Sequence, residues 1–227
     1  MLLEVIATCA DDIVKANSGG ADRIELVTGL QEGGMSPSLG LLEAAVNLSA
    51  VPVNVMIRPH SRSFHYDPDD LRIMIKDIGA VRRAGAAGIV IGALQENGRV
   101  DKDTLKRLLE AAEGLSVTFH RAFDETRDLD EALDDLLAFP VDRILTSGGK
   151  PSVLQAMDTI GRLVKRTQGT RLRILAGSGL TIESLPEFIM KTEVKEFHFG
   201  RGVRAGMLAT GQIDPELVRR IKQSIGQ

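Results

Sequence analysis

Eight times along the chain a short run of β-branched and aliphatic residues gives way to a longer amphipathic run, and no Pro/Gly/Ser-rich linker interrupts the alternation. The strand-like runs are Leu2 to Ala7, Asp22 to Val27, Pro52 to Ile57, Gly88 to Ile91, Ser116 to His120, Arg143 to Thr146, Arg173 to Ala176 and Glu196 to Phe199. Between them the pattern predicts helices over Asp11 to Ser18, Ser38 to Asn47, Pro68 to Ala84, Lys102 to Glu113, Asp130 to Phe139, Val153 to Gln168, Ile182 to Lys191 and Pro215 to Ser224. Boundary signals agree: Gly19-Gly20 follow the first helix, Pro37 opens the second and Thr181 caps the seventh. Strands that alternate with helices run parallel, and eight such units in 227 residues fit a single (β/α)8 TIM-barrel domain over residues 1–227. An open doubly wound sheet would carry a Gly-rich nucleotide turn after its first strand, where this chain has Ala7-Thr8-Cys9. Asp22-Arg23-Ile24 recurs as Asp142-Arg143-Ile144, four units later, a short internal echo.

Parallel strands covered by helices are normally continuous apolar runs, and these are not. If the aliphatic positions face the helices, then Glu4, Arg23, Glu25, Asn54, Arg58, Thr118, His120, Glu196 and His198 face the barrel axis. Arg23, Arg173 and Glu196 stand early on their strands, where a structural ion-pair layer is expected. Glu25, Arg58, His120 and His198 stand late, at the end where barrels of this kind carry their chemistry, and Glu4 is intermediate. One reading makes all of them a structural charge network; the other makes the late ones a site.

The stretch VTFHRAFD, Val117 to Asp124, focuses the second reading, because a strand runs directly into His120, Arg121 and Asp124. An unperturbed histidine titrates near 6.5, which suits His120 to a proton shuttle at neutral pH. Glu25 is the carboxylate partner or base, with Glu4 and Asp124 as further acid–base candidates. Arg58 and Arg121 can hold an anion. Strand six ends in Thr146-Ser147-Gly148-Gly149, strand seven in Gly177-Ser178-Gly179 and strand eight in His198-Phe199-Gly200-Arg201, ends of the sort that bind phosphate through backbone N–H groups. Two loops on the same face are long: Thr28 to Ser38, with Gly33-Gly34, and Arg58 to Asp67, which carries His60, His65 and Tyr66 and is long enough to fold over the mouth.

Composition narrows the partners. A net charge of -3 leaves no broad basic surface for nucleic acid, so that class is set aside. The N-terminal MLLEVIATCADD has no basic leader and places Glu4 where a signal peptide needs apolar residues, and no apolar run reaches membrane-spanning length. A lone Cys9 makes no internal disulfide, and a reducing cytoplasm is the expected compartment.

Over essentially its whole length the chain resembles the CutC family, named for a proposed part in copper homeostasis and similar in architecture to TIM barrels. The matching stretches are LEV at Leu3 to Val5, GGADRIEL at Gly19 to Leu26, EGGMSPSLG at Glu32 to Gly40, VMIRP at Val55 to Pro59, VTFHRAFD, RILTSGG at Arg143 to Gly149 and EFH at Glu196 to His198. The resemblance implies copper and a homodimer. Family members often carry cysteine directly after LEV and RIEL, where this chain has Ile6 and Val27, so a copper site would rest on Cys9 with a histidine and a methionine such as Met35 or Met56.

Three functions remain open at this level. The first is an enzyme working by acid–base chemistry on a small anionic or phosphorylated metabolite, with no cofactor required. The second is a copper-handling protein using Cys9, and the third a regulatory or scaffolding dimer.

Overall fold

In the computed structural model, which describes residues 1–226 and leaves Gln227 of the expected domain outside the described residues, eight parallel strands close into one barrel. They are β1 (Leu2–Ala7), β2 (Arg23–Leu26), β3 (Val53–Met56), β4 (Gly88–Ile91), β5 (Ser116–Phe119), β6 (Arg143–Thr146), β7 (Arg173–Gly177) and β8 (Glu196–Phe199). Each is followed by a helix: α1 (Ala10–Gly19), α2 (Leu39–Leu48), α3 (Pro68–Ala84), α4 (Lys102–Ala111), α5 (Leu129–Leu137), α6 (Met157–Thr167), α7 (Leu185–Thr192) and α8 (Pro215–Gly226). Closure is by β1 against β8, where Glu4 stands opposite His198. The architecture is the (β/α)8 barrel that the eightfold alternation predicts. Among the described residues, no helix is long and apolar enough to cross a membrane.

The period-two pattern of each strand divides the core. Leu3, Val5, Ile24, Leu26, Val55, Ile89, Val117 and Phe119 face outward into one continuous apolar layer shared with the helices. A second, small apolar cluster of Ile6, Val27, Met56 and Val90 is separate from it. These four hold positions in step with the charged ones on their own strands, Ile6 with Glu4 and Val27 with Glu25, so they line the inside of the barrel.

The early charges form the expected ion-pair layer with one substitution. Arg23 donates through Nε to Glu4 at 2.5 Å and through Nη2 to Glu196 at 2.9 Å, while Arg143 donates through Nε to the same Glu196 at 2.9 Å. Arg173, expected in this layer, is exposed and donates to the carbonyls of Thr170 and Leu172. Arg143 takes its place. The Asp-Arg-Ile echo acquires a cause here. Asp22 accepts from the amide of Leu3 and Asp142 from that of Val117, so each aspartate ties the start of its strand to the preceding one. The arginine that follows each of them turns inward to Glu196.

Local hydrogen bonding also moves some boundaries. The expected helix over Val153 to Gln168 is broken: Val153–Gln155 is a single 3-10 turn capped by Ser152, and α6 starts after Ala156. The Val153 amide donates to Ser178 O, which holds that turn against the end of β7. Thr181 and Ser184 close a turn of their own, and Pro186 sits in the first turn of α7. β5 stops at Phe119 because His120 caps the next turn with its own ring, described below.

Removing Arg23 strips Glu4 and Glu196 of a shared buried partner, whereas removing Arg173 strips only exposed carbonyl contacts. In urea unfolding followed by circular dichroism, Arg23→Ala is expected to cost about 3–5 kcal/mol and Arg173→Ala within about 0.5 kcal/mol. Equal losses would contradict this assignment of the layer.

Candidate active site at the barrel mouth

From the ion-pair layer a line of buried charges climbs to the C-terminal ends of the strands. Glu4 on β1, held by Arg23 through one oxygen, accepts through the other from His198 Nδ1 on β8 at 2.7 Å. The far nitrogen of the same ring, Nε2, faces Glu25 Oε2 on β2 at 3.8 Å. Glu25 Oε1 makes no hydrogen bond within the protein. Burial alone would raise Glu4, but the Arg23 charge and the His198 contact overcome it and bring its carboxyl to about 2. Glu25 lacks such a partner at bonding distance. Burial pushes it up to about 7, and the His198 charge only partly offsets that. Burial would lower His198, yet the Glu25 charge, then the hydrogen bond to Glu4, raise it. Glu4 therefore fixes the imidazole, and the proton-holding carboxyl is Glu25.

Glu25 and His198 line a cavity of about 740 Å³ at the mouth, together with His120, Arg58, Arg121 and Arg201. His120 departs from the sequence expectation. Its Nδ1 accepts from the Ala122 amide at 3.1 Å, which places the ring hydrogen on Nε2, and Nε2 has no partner within the protein. Burial, reinforced by the nearby Arg58 charge, pushes this ring down to about 3. His120 is thus not a shuttle near neutrality. It is a neutral imidazole with one oriented N–H to give.

The side of the cavity formed by β7 and β8 suits an anion. Ser178, Gly179, Leu180, Gly200 and Arg201 line it, and the N–H groups of these five donate to no acceptor among the described residues. Ser178 holds φ at 76°, a strained backbone for a residue with a side chain, and is tied there by its Oγ, which donates to Pro151 O at 2.8 Å. Arg201 lies exposed on the rim.

Other expected site residues have different work. Asp124 does not line the cavity; its carboxylate accepts from Thr146 Oγ1, the Ser147 amide and hydroxyl, the Gly149 amide and Arg121 Nε. Every oxygen is taken, and Asp124 with Ser147 serves as the clamp between the ends of β5 and β6. Ser147 Oγ also accepts from Arg121, which is therefore half-committed to the clamp. Arg58 donates to the carbonyls of Glu32 and Gly34 and tethers the long loop after β2. Gly177 lies beside the cavity, where a Cβ would stand 3.1 Å from His198 Cβ and Cδ2; it leaves room for that ring. In the loop after β3, His60 pairs with Asp70 at 3.1 Å and His65 is exposed.

Several contributors escaped the sequence reading. Phe64 stacks against Arg58, whose guanidinium carbon is 4.5 Å from the ring centroid, and against His120 at 4.8 Å between centroids. Gly92, just after β4, is where a Cβ would lie 2.5 Å from His120 Cε1 and Nδ1, so any side chain there displaces the imidazole. Arg204 is buried, bonded to Asp12 and to the carbonyls of Ile6 and Gly211, and pins the segment after β8. That segment ends its approach with Met207 and Leu208, 55% and 60% exposed on the cavity rim. Gly92 at a strand end was the one legible signal; the partners of Arg204 are distant in sequence.

The copper implied by the resemblance can be tested against the donors. Among the described residues, Glu4, Glu25 and His198 form the group whose ligand atoms lie within 4.8 Å of one another. Glu4 is spent on Arg23 and His198, and the guanidinium beside it repels a cation. Cu(I) prefers sulfur, while Cys9 stands exposed at the start of α1 outside this group, and Met56 packs with Ile6, Val27 and Val90. These donors do not fit copper.

Residues 1–203 match the profile of the CutC family. A CutC family protein of Caulobacter vibrioides (strain NA1000 / CB15N) is 42% identical over 224 residues, covering 96% of this chain and 91% of the relative. One of Bacteroides fragilis (strain YCH46) is 40% identical over 209 residues, covering 91% and 83%. Among solved structures, a CutC from Streptococcus agalactiae, named as a candidate copper homeostasis protein, superimposes with a TM-score of 0.82 at 31% identity, covering 87% of this chain and 97% of that one. A phosphoribosyl anthranilate isomerase from Thermococcus kodakaraensis gives 0.66 at 18% identity over 99% and 98% of the two chains, a likeness of fold alone.

A buried carboxyl with a raised pKa leaves a sign in the stability curve. Between its ordinary 4.5 and about 7, folded Glu25 keeps a proton that the unfolded chain releases, so stability falls as pH climbs through that window. His198, also raised, acts in the same direction. Glu25→Gln is expected to flatten this fall and to be more stable than the parent at pH above 7, by roughly 2–3 kcal/mol, while near pH 4.5 the two converge. Thermal melts across that range check it; a variant less stable than the parent at high pH would contradict it.

Proposed function

The chain belongs to the CutC family, and on that footing we propose that its barrel mouth is the active site of an enzyme that moves protons on a small anionic, phosphorylated metabolite. The observation that carries this reading is Glu25: a buried carboxyl raised to about 7, with one oxygen unbonded, lining an open cavity. A group half-ionised at neutral pH both takes and returns protons efficiently. Four roles follow. Glu25 is the general base. His198, fixed by Glu4, faces Glu25 and steadies its anion. His120 offers Nε2–H to a substrate oxygen, and the amides of Ser178 to Leu180 and of Gly200 and Arg201 receive the phosphate, with Arg201 at the rim.

Charge favours the same substrate. Arg58, Arg121 and Arg201 line the cavity against Glu25 as its carboxylate, so an anion enters a field of its opposite sign. Met207 and Leu208 add exposed apolar surface to the lining without adding charge.

A thermal-shift screen of phosphorylated metabolites together with Cu(I) separates this from metal handling. At a ligand concentration about a hundredfold above Kd, the expected stabilisation is about 2.7 kcal/mol, a rise of several degrees, and Arg201→Gln should shrink it. No shift with any phosphorylated compound, or a shift with Cu(I) alone, would overturn the reading.

A further inference from the structure

Resting on the anion-binding reading above, we propose that the reaction is proton abstraction from a carbon beside a carbonyl, on a phosphorylated hydroxyaldehyde or hydroxyketone. The cavity holds one base and one oriented neutral donor. Glu25 is the only carboxylate lining it among the described residues. Ala122 N–H occupies His120 Nδ1, so His120 can present only Nε2–H. Hydrolysis of an ester or glycoside needs a separate acid for the leaving group or a nucleophile. Asp124 and Glu4, the other acids expected here, are each bonded through both oxygens. His198 is bonded at Nδ1 to Glu4, and its Nε2 faces the base Glu25 at 3.8 Å, beyond hydrogen-bond distance, so its charge is set against that carboxyl. The Ser178 hydroxyl is turned to Pro151 O, and Cys9 lies outside the cavity lining.

Enolisation needs no more than this cavity contains. The Glu25 carboxylate takes the proton from carbon, the C–H electron pair becomes the C=C bond, and the carbonyl π pair moves onto oxygen, where His120 Nε2–H holds the new charge. A neutral imidazole is a weak acid, matched to an enediolate oxygen rather than to a ground-state carbonyl, so its hydrogen bond strengthens as charge develops. Protonated Glu25 then returns the proton. Return to the same carbon exchanges hydrogen with solvent; return to the neighbouring carbon, with the hydroxyl proton passing from one oxygen to the other across Nε2, gives the isomer. Ile6, Val27, Met56 and Leu145 line the cavity with apolar surface that offers the intermediate no competing acid.

The test incubates the protein in deuterated water with dihydroxyacetone phosphate, glyceraldehyde phosphate and ribulose phosphate, and follows the α C–H signals by proton NMR. In parallel, binding of phosphoglycolohydroxamate, an enediolate mimic, is compared with that of inorganic phosphate. The expected results are deuterium at an α carbon, lost by roughly 10²-fold or more in Glu25→Gln, and a mimic that binds about 10²-fold tighter than phosphate. His120→Gln should slow exchange while keeping phosphate binding. Phosphate bound without exchange, and a mimic no tighter than phosphate, would overturn this inference alone. Absence of any anion binding would overturn the reading beneath it as well.

Discussion

A buried chain of alternating charge organises this barrel: Arg143, Glu196, Arg23, Glu4, His198 and Glu25, in order from the early ends of the strands to the mouth. Each interior member lies between two groups of opposite sign, so burial that would cost several kcal/mol for an isolated ion is offset by its neighbours. The last member breaks the rule. Glu25 meets His198 only at 3.8 Å and has an oxygen with no partner, so the unmet cost of burial appears there as affinity for a proton. Stability held at one end of the chain leaves an unsatisfied group at the other, and that group faces the cavity.

The rim follows the same economy of charge. Asp124, Arg58 and Arg204 each hold down a different segment around the mouth through loop backbone or an opposite charge, although Nε of both arginines is left unbonded. The Ser178 backbone is held by its own hydroxyl, which donates to Pro151 O, and the segment after Gly200 by the buried Arg204. The Arg58 guanidinium does a second task through its field, since it stands over Phe64, which in turn packs on His120, and contributes to holding that ring neutral.

Much of this was legible in the chain, because the alternation of strand side chains decides which face each residue takes. The inward set of Glu4, Arg23, Glu25, Asn54, Thr118, His120 and His198 follows from that period alone, and the closed barrel from the eightfold alternation of strands and helices. What the period cannot give is the partner. Arg173 and Arg143 occupy equivalent early positions and stand opposite one another in register, yet Arg143 reaches Glu196 and Arg173 turns out to solvent. The fate of Asp124 depends on amides more than twenty residues away, and the proton affinity of His120 on a burial and a neighbouring charge that only the folded state creates. Sulfur makes Cys9 a candidate metal ligand in the sequence; in the fold it is exposed at a helix start, outside the Glu4, Glu25 and His198 group.

The division of labour between the two late residues, Glu25 holding a proton and His120 kept neutral, is what makes the mouth of this charge chain a candidate site. Nitrogen-edited NMR of the histidine rings, with a carboxyl-carbon titration of Glu25, measures it directly. The account predicts His120 in the Nε2–H tautomer without titration between pH 5 and 8, and Glu25 titrating near 7. A His120 ring that protonates near 6.5 beside a Glu25 ionised throughout would contradict it.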